Sequence, residues 1–76
     1  MSKSHKLGER FIKMNALKIL VGRSKSMEIK LIDHVKDGVL VVINKDNVDK
    51  SVVLMDSDRV TIDESEVFVK QLLEKL

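Results

Sequence analysis

The sequence predicts a small α+β domain: an antiparallel sheet of four or five strands carrying a short N-terminal helix and an amphipathic C-terminal helix. Three observations point there. Asp37-Gly38 separates two apolar runs, a strong hairpin signal. A second pair of β-branched runs, 51–55 and 59–62, flanks Asp56-Ser57-Asp58. The last stretch, to Leu76, changes to helical apolar spacing behind a capping residue.

The 76 residues leave room for one domain, 1–76. Residues 1–6 are small, polar and basic, and a frayed tail is expected there. Leu7 and Phe11 stand four apart, as do Ile12 and Ala16, which predicts a short helix to about residue 15. The run A16-L-K-I-L-V-G22 fits two descriptions. As helix it places apolar groups on two opposite faces; as strand it puts Leu17, Ile19 and Val21 on one. The strand reading is slightly favoured, from residue 17, and would make closure into an SH3- or Sm-like barrel feasible.

Met27, Ile29, Leu31 and Val35 alternate with Glu28, Lys30 and His34, as in a half-buried strand, and Ile32-Asp33 breaks the rhythm as a bulge would. Gly38 can supply the positive φ of a type I′ turn. V39-L-V-V-I43 is continuously apolar, which marks a central strand covered on both faces. Residues 44–51 are rich in turn formers and read as a loop. Beyond it, a Ser57-Asp58 turn would pair Met55 with Val60 and Val53 with Ile62. Asp63 is the expected N-cap, with Glu66 closing a capping box and Ile62 stapling to Val67. Phe68, Val69, Leu72, Leu73 and Leu76 then fall within an arc of about 140° at 3.6 residues per turn.

The net charge of +2 hides a division. Residues 1–27 carry seven Lys/Arg against Glu9, a balance of +6; residues 28–76 carry seven against eleven acids, a balance of −4. Lys6, Arg10 and Lys13 share one helical face, with Lys18, Arg23 and Lys25 close in sequence. These six are the candidate nucleic-acid-binding residues, making phosphate contacts without reading bases. With Phe11 and Phe68 the only aromatics, a base-stacking platform is not expected. The other reading is a protein–protein interaction module acting as a homo-oligomer or as an inhibitor of a partner. Its contact would be a sheet edge or an apolar face of Phe11, Ile12, Leu17 and Leu20. Size and composition are like those of small phage or plasmid accessory proteins.

Catalytic material is sparse. Eight Ser and Thr occur, none in a nucleophile-elbow or phosphate-loop context. His34 stands alone on a strand, and Asp56, Asp58 and Asp63 suit turns and a cap better than a metal. A non-enzymatic regulatory or accessory protein is expected, with no cofactor, no metal and no small-molecule substrate. There is no cysteine, and M-S-K-S-H-K-L-G leads into no apolar segment, so a secretory signal is not expected and the cytoplasm is. No apolar run is long enough to span a membrane.

M55-D-S-D-R-V-T-I62 resembles the half-hairpin of AbrB-like swapped-hairpin DNA-binding proteins, through Asp56, Arg59, Val60, Thr61 and Ile62. Asp58 stands where that pattern has its turn glycine, and Asp63 where it has proline. V60-T-I-D-E-S-E-V-F68 is similar to the strand-to-helix ending of CsrA-like RNA regulators, which form intertwined dimers. The arginine that contacts RNA in that family would fall near Asp63 or Glu64, both acidic here. Neither resemblance carries a site residue onto this chain.

Overall fold

The computed structural model describes the backbone of residues 2–76 and the side chains of residues 8–76. The frayed tail expected at residues 1–6 therefore lies outside the residues described in full. In chain order the elements are α1 (Ser2–Arg23), β1 (Met27–Val35), β2 (Gly38–Lys45), β3 (Val48–Met55) and α2 (Ile62–Glu74). The fold is α+β as the sequence predicts, but with one open sheet of three antiparallel strands in the order β1-β2-β3 among the described residues. Four or five strands, and a barrel, are not present.

The missing strands have separate causes. Residues 16–22 continue α1, because a helix stacks Lys13, Leu17 and Val21 four apart and buries all three, while Ile19 remains 40 % exposed. A strand would have put Leu17, Ile19 and Val21 together. Residues 59–61 leave the sheet altogether. Asp58 N–H closes a turn onto the Met55 carbonyl at 3.1 Å, and the chain then climbs to α2 instead of pairing back. The strand half of both family resemblances is thus lost.

The helix cap is also displaced. Thr61 is the N-cap: its hydroxyl accepts from Glu64 N–H, and the Glu64 carboxylate accepts from Thr61 N–H at 3.1 Å. The roughly 1 kcal/mol of such a box therefore belongs to Thr61, and Asp63 contributes only as a first-turn acid near the helix dipole. Ile62 and Val67, expected to staple, are 73 % and 59 % exposed. The apolar arc of α2 is as expected: Val69 and Leu73 are buried, with Phe68, Leu72 and Leu76 packed beside them.

Both hairpins close through two-residue loops. β2 and β3 pair from Lys45↔Val48 onward, so the expected 44–51 loop shrinks to Asp46-Asn47. These two residues have φ of 54° and 68°, the left-handed pair that a type I′ hairpin turn needs. Gly38, by contrast, has no positive φ. It opens β2 opposite Met55, where a Cβ would press on the Leu54 carbonyl oxygen and lie 3.1 Å from the carbonyl carbon. Glycine is needed there for close approach, not for turn geometry.

The bulge in β1 falls at Lys30, two residues before the break seen in the sequence: Ile29 pairs with Ile43, and Leu31 with Val42. One extra residue reverses the phase of the strand. Met27 and Ile29 face the helices before it, Ile32 and His34 after it. Leu31, Asp33 and Val35 turn to the opposite face.

The core lies between the sheet and the two helices. Val39, Val41 and Ile43 of β2 and Leu54 of β3 meet Met14, Ala16, Leu17 and Val21 of α1 and Val69 and Leu73 of α2. β2 is central, as predicted, but covered on one face only. The shortest dimension of the molecule, 17 Å, leaves room for one sheet and one helix layer.

Candidate interaction surfaces

The basic residues do not form one exposed stripe. Lys6 lies outside the residues whose side chains are described. Arg10 and Lys13 sit on the same face of α1 as Leu17 and Val21, so docking α1 on the sheet carries them inward. The Arg10 guanidinium grips Asp56 through two bonds, 2.8 and 2.7 Å, and also donates to the carbonyls of Val35 and Lys36 at 2.9 and 3.1 Å. Hydrogen bonding to Asp56 raises its pKa further above the ordinary arginine value and keeps it charged.

Lys13 is 1 % exposed. Its ammonium donates to the Met55 carbonyl and stands 5.9 Å from the centre of the Phe68 ring. Burial pulls its pKa below the ordinary lysine value, against the attraction of Asp58, Asp56 and Glu9. Since the unfolded chain then holds the proton more tightly, stability should rise as pH climbs through the folded pKa toward the unfolded value near 10.5. Thermal melts should show that alkaline gain in the native chain and not in Lys13→Met. The Met55 carbonyl keeps its bond from Asp58 N–H in that variant, so its stability near neutrality should stay within about 1 kcal/mol of native.

Glu9 accepts from Arg59 at 2.9 Å, so this contact joins those of Arg10 and Lys13 in binding the N-terminal half of α1 to the 55–61 connection. Lys18, Arg23 and Lys25 are exposed but dispersed. Lys18 borders a shallow cleft with Phe11, Ile32 and His34, and lies about 140° around the helix from Arg23. Arg23 shares a groove with Lys45, Lys70, Glu66 and Glu74, and Lys25 lies beside Asn44, Asp46 and Asn47.

The other sequence candidates separate. His34 is exposed on β1. Asp56 is held by Arg10, the Asp58 backbone closes the turn, and Asp63 lies in the first turn of α2. Among the described residues, no group of three or more His, Asp or Glu could hold a metal ion. Among the described residues, no helix is long and apolar enough to cross a membrane.

What sequence reading missed is the face of the sheet turned away from the helices. Strand alternation and the Lys30 bulge bring Leu31 and Val35 of β1, Leu40 and Val42 of β2, and Val53 and Met55 of β3 to it together. Leu31 is 50 % exposed, and Val35, Val53 and Met55 are each 40 % exposed. Asp33 lies within this set on the β1 edge, and the bulge residue Lys30, 4.0 Å from Glu28, borders it. Glu28, Asn44 and Asp49 form a polar end, where Asn44 donates to Asp49 at 2.8 Å. The signal in the sequence was the unbroken V39-L-V-V-I43 run, read as a strand covered on both faces; among the described residues nothing covers one of them. No known family model, curated protein or solved structure matches the chain.

Proposed function

We propose that this chain is a non-enzymatic protein-interaction module whose contact surface is the open face of its sheet. Support comes from the six clustered apolar side chains of that face, at 40–50 % exposure for four of them. A contiguous apolar patch of several hundred Å² on a small protein marks a contact surface more often than chance. Val42→Lys tests the reading: it places a charge at the centre of the patch while the backbone stays paired. With the circular dichroism unchanged, the variant should lose whatever association the native chain makes; a variant that associates as the native chain does refutes it. Placement in the cytoplasm rests only on the sequence argument from cysteine.

A second reading, nucleic-acid binding, has one observation in its favour: Arg23, Lys45 and Lys70 ring a single groove at the end of α1. Arg10 and Lys13 would take no part in it, being held internally, and Glu66 and Glu74 on the same rim oppose it. Phosphate contact there would make affinity fall steeply with salt, and no binding at about 50 mM salt removes the reading.

A further inference from the structure

We propose that the occupant of the open sheet face is a second copy of this chain, packed face to face as a two-fold sandwich; this rests on the face being a contact surface. Three features support the assignment. The first is area. Strands of eight or nine residues, about 4.8 Å apart and rising about 3.3 Å per residue, present a face of roughly 14 by 26 Å. With side chains standing from it, each copy offers about 500 Å², so closure buries about 1,000 Å² in all, the lower bound of a specific interface. The accessible surface of the chain, 5269 Å², also exceeds the value of about 4,700 Å² usual for a monomer of its mass.

The second is the need for a further source of stability. A chain of 76 residues buries too little surface to be more than marginally stable alone, and it has no cysteine for disulfides. A second copy would supply apolar burial on the only face of β2 that lacks it.

The third is charge. Register places Leu31, Val42 and Ser51 in one row across the sheet, then Asp33, Leu40 and Val53, then Val35, Gly38 and Met55. A two-fold axis at right angles to the strands would set β1 on β1 and, passing through the Asp33–Leu40–Val53 row, would stack Asp33 on its own mate. An axis running along β2 sets β1 over β3 of the other copy. It keeps the two Asp33 on opposite edges, lays Leu31 over the small Ser51, and brings Leu40 onto Leu40. The second arrangement keeps the two Asp33 apart and brings like charges together, Glu28 over Asp49 of the other copy, only at the exposed polar end. Two sheets stacked about 10 Å apart in aligned fashion fit it.

Sedimentation equilibrium of the full chain from about 1 to about 300 μM should show monomer and dimer exchanging with a dissociation constant in the micromolar range, as expected for an interface of this size. Val42→Lys and Val53→Glu should each remain monomeric throughout. Because the chain has no cysteine, Leu40→Cys and Asp33→Cys carry single thiols. A short bis-maleimide should join Leu40→Cys to its mate and leave Asp33→Cys largely unjoined. A native chain that stays monomeric overturns the proposal, as does a dimer indifferent to both charge substitutions. Equal cross-linking at the two thiols overturns the axis along β2. If the native chain is monomeric while Val42→Lys loses capture of a different protein, the second copy is wrong and the contact face stands. If Val42→Lys changes neither, both fall.

Discussion

Gly38→Ala is expected to cost about 3 kcal/mol or more, a large share of the stability of a domain whose total is of order 4–11 kcal/mol. The added Cβ meets main-chain atoms of Leu54 and Met55, which no rotamer change can move aside. Relief requires β2 and β3 to separate at the end where Asp56 N–H bonds the Asp37 carbonyl at 2.9 Å, beside the Asp56 carboxylate that holds Arg10. The damage should therefore spread from the sheet to α1. Gly22→Ala is the matched control: nothing lies within 4 Å of its Cβ, it sits inside a helix, and it should gain about 0.5–1 kcal/mol. Urea unfolding followed by circular dichroism measures both, and a mild loss at Gly38 would show that the two strands lie farther apart than described.

Leu17→Ala should cost about 2–5 kcal/mol, since Leu17 is fully buried and its loss leaves a cavity in the core cluster it shares with the sheet and α2. Ile19→Ala, two residues away and 40 % exposed, should cost well under half as much. The comparison separates two conformations of residues 16–22, because a strand would give Leu17 and Ile19 the same surroundings. Similar losses at the two positions would contradict the helix.

That segment shows where the sequence was legible and where it was not. The β1–β2 hairpin, the central place of β2 and the apolar arc of α2 follow from local patterns, and the structure agrees with them. Residues 16–22 are apolar on too many sides for periodicity to choose, and the packing of Leu17 and Val21 on the sheet decides the matter. Asp46-Asn47 was passed over because the favoured hairpin signal ends in glycine, whereas here two ordinary residues adopt left-handed backbone. Val60-Thr61-Ile62 has the composition of a strand, yet Thr61 is worth more as a cap. Arg10 and Lys13 lie on one helical face; that this face points inward depends on which way α1 docks. Nothing local in the sequence of Lys13 announces that its ammonium bonds a carbonyl 42 residues away.

The two short hairpin loops have a consequence for the order of assembly. Every strand pairing joins neighbours along the chain, so the sheet closes at small entropic cost, whereas the Arg10–Asp56 and Glu9–Arg59 ties bridge 46 and 50 positions. The meander is therefore expected to form before the two ends of the chain find one another. In stopped-flow experiments Leu17→Ala should mainly hasten unfolding, and an equally large slowing of refolding would reverse the order. Until α1 docks, β2 is wet on both sides. A helix arriving on one side leaves the other for whatever collides with it next, and in a crowded cell making many copies of one chain, that is often a sibling.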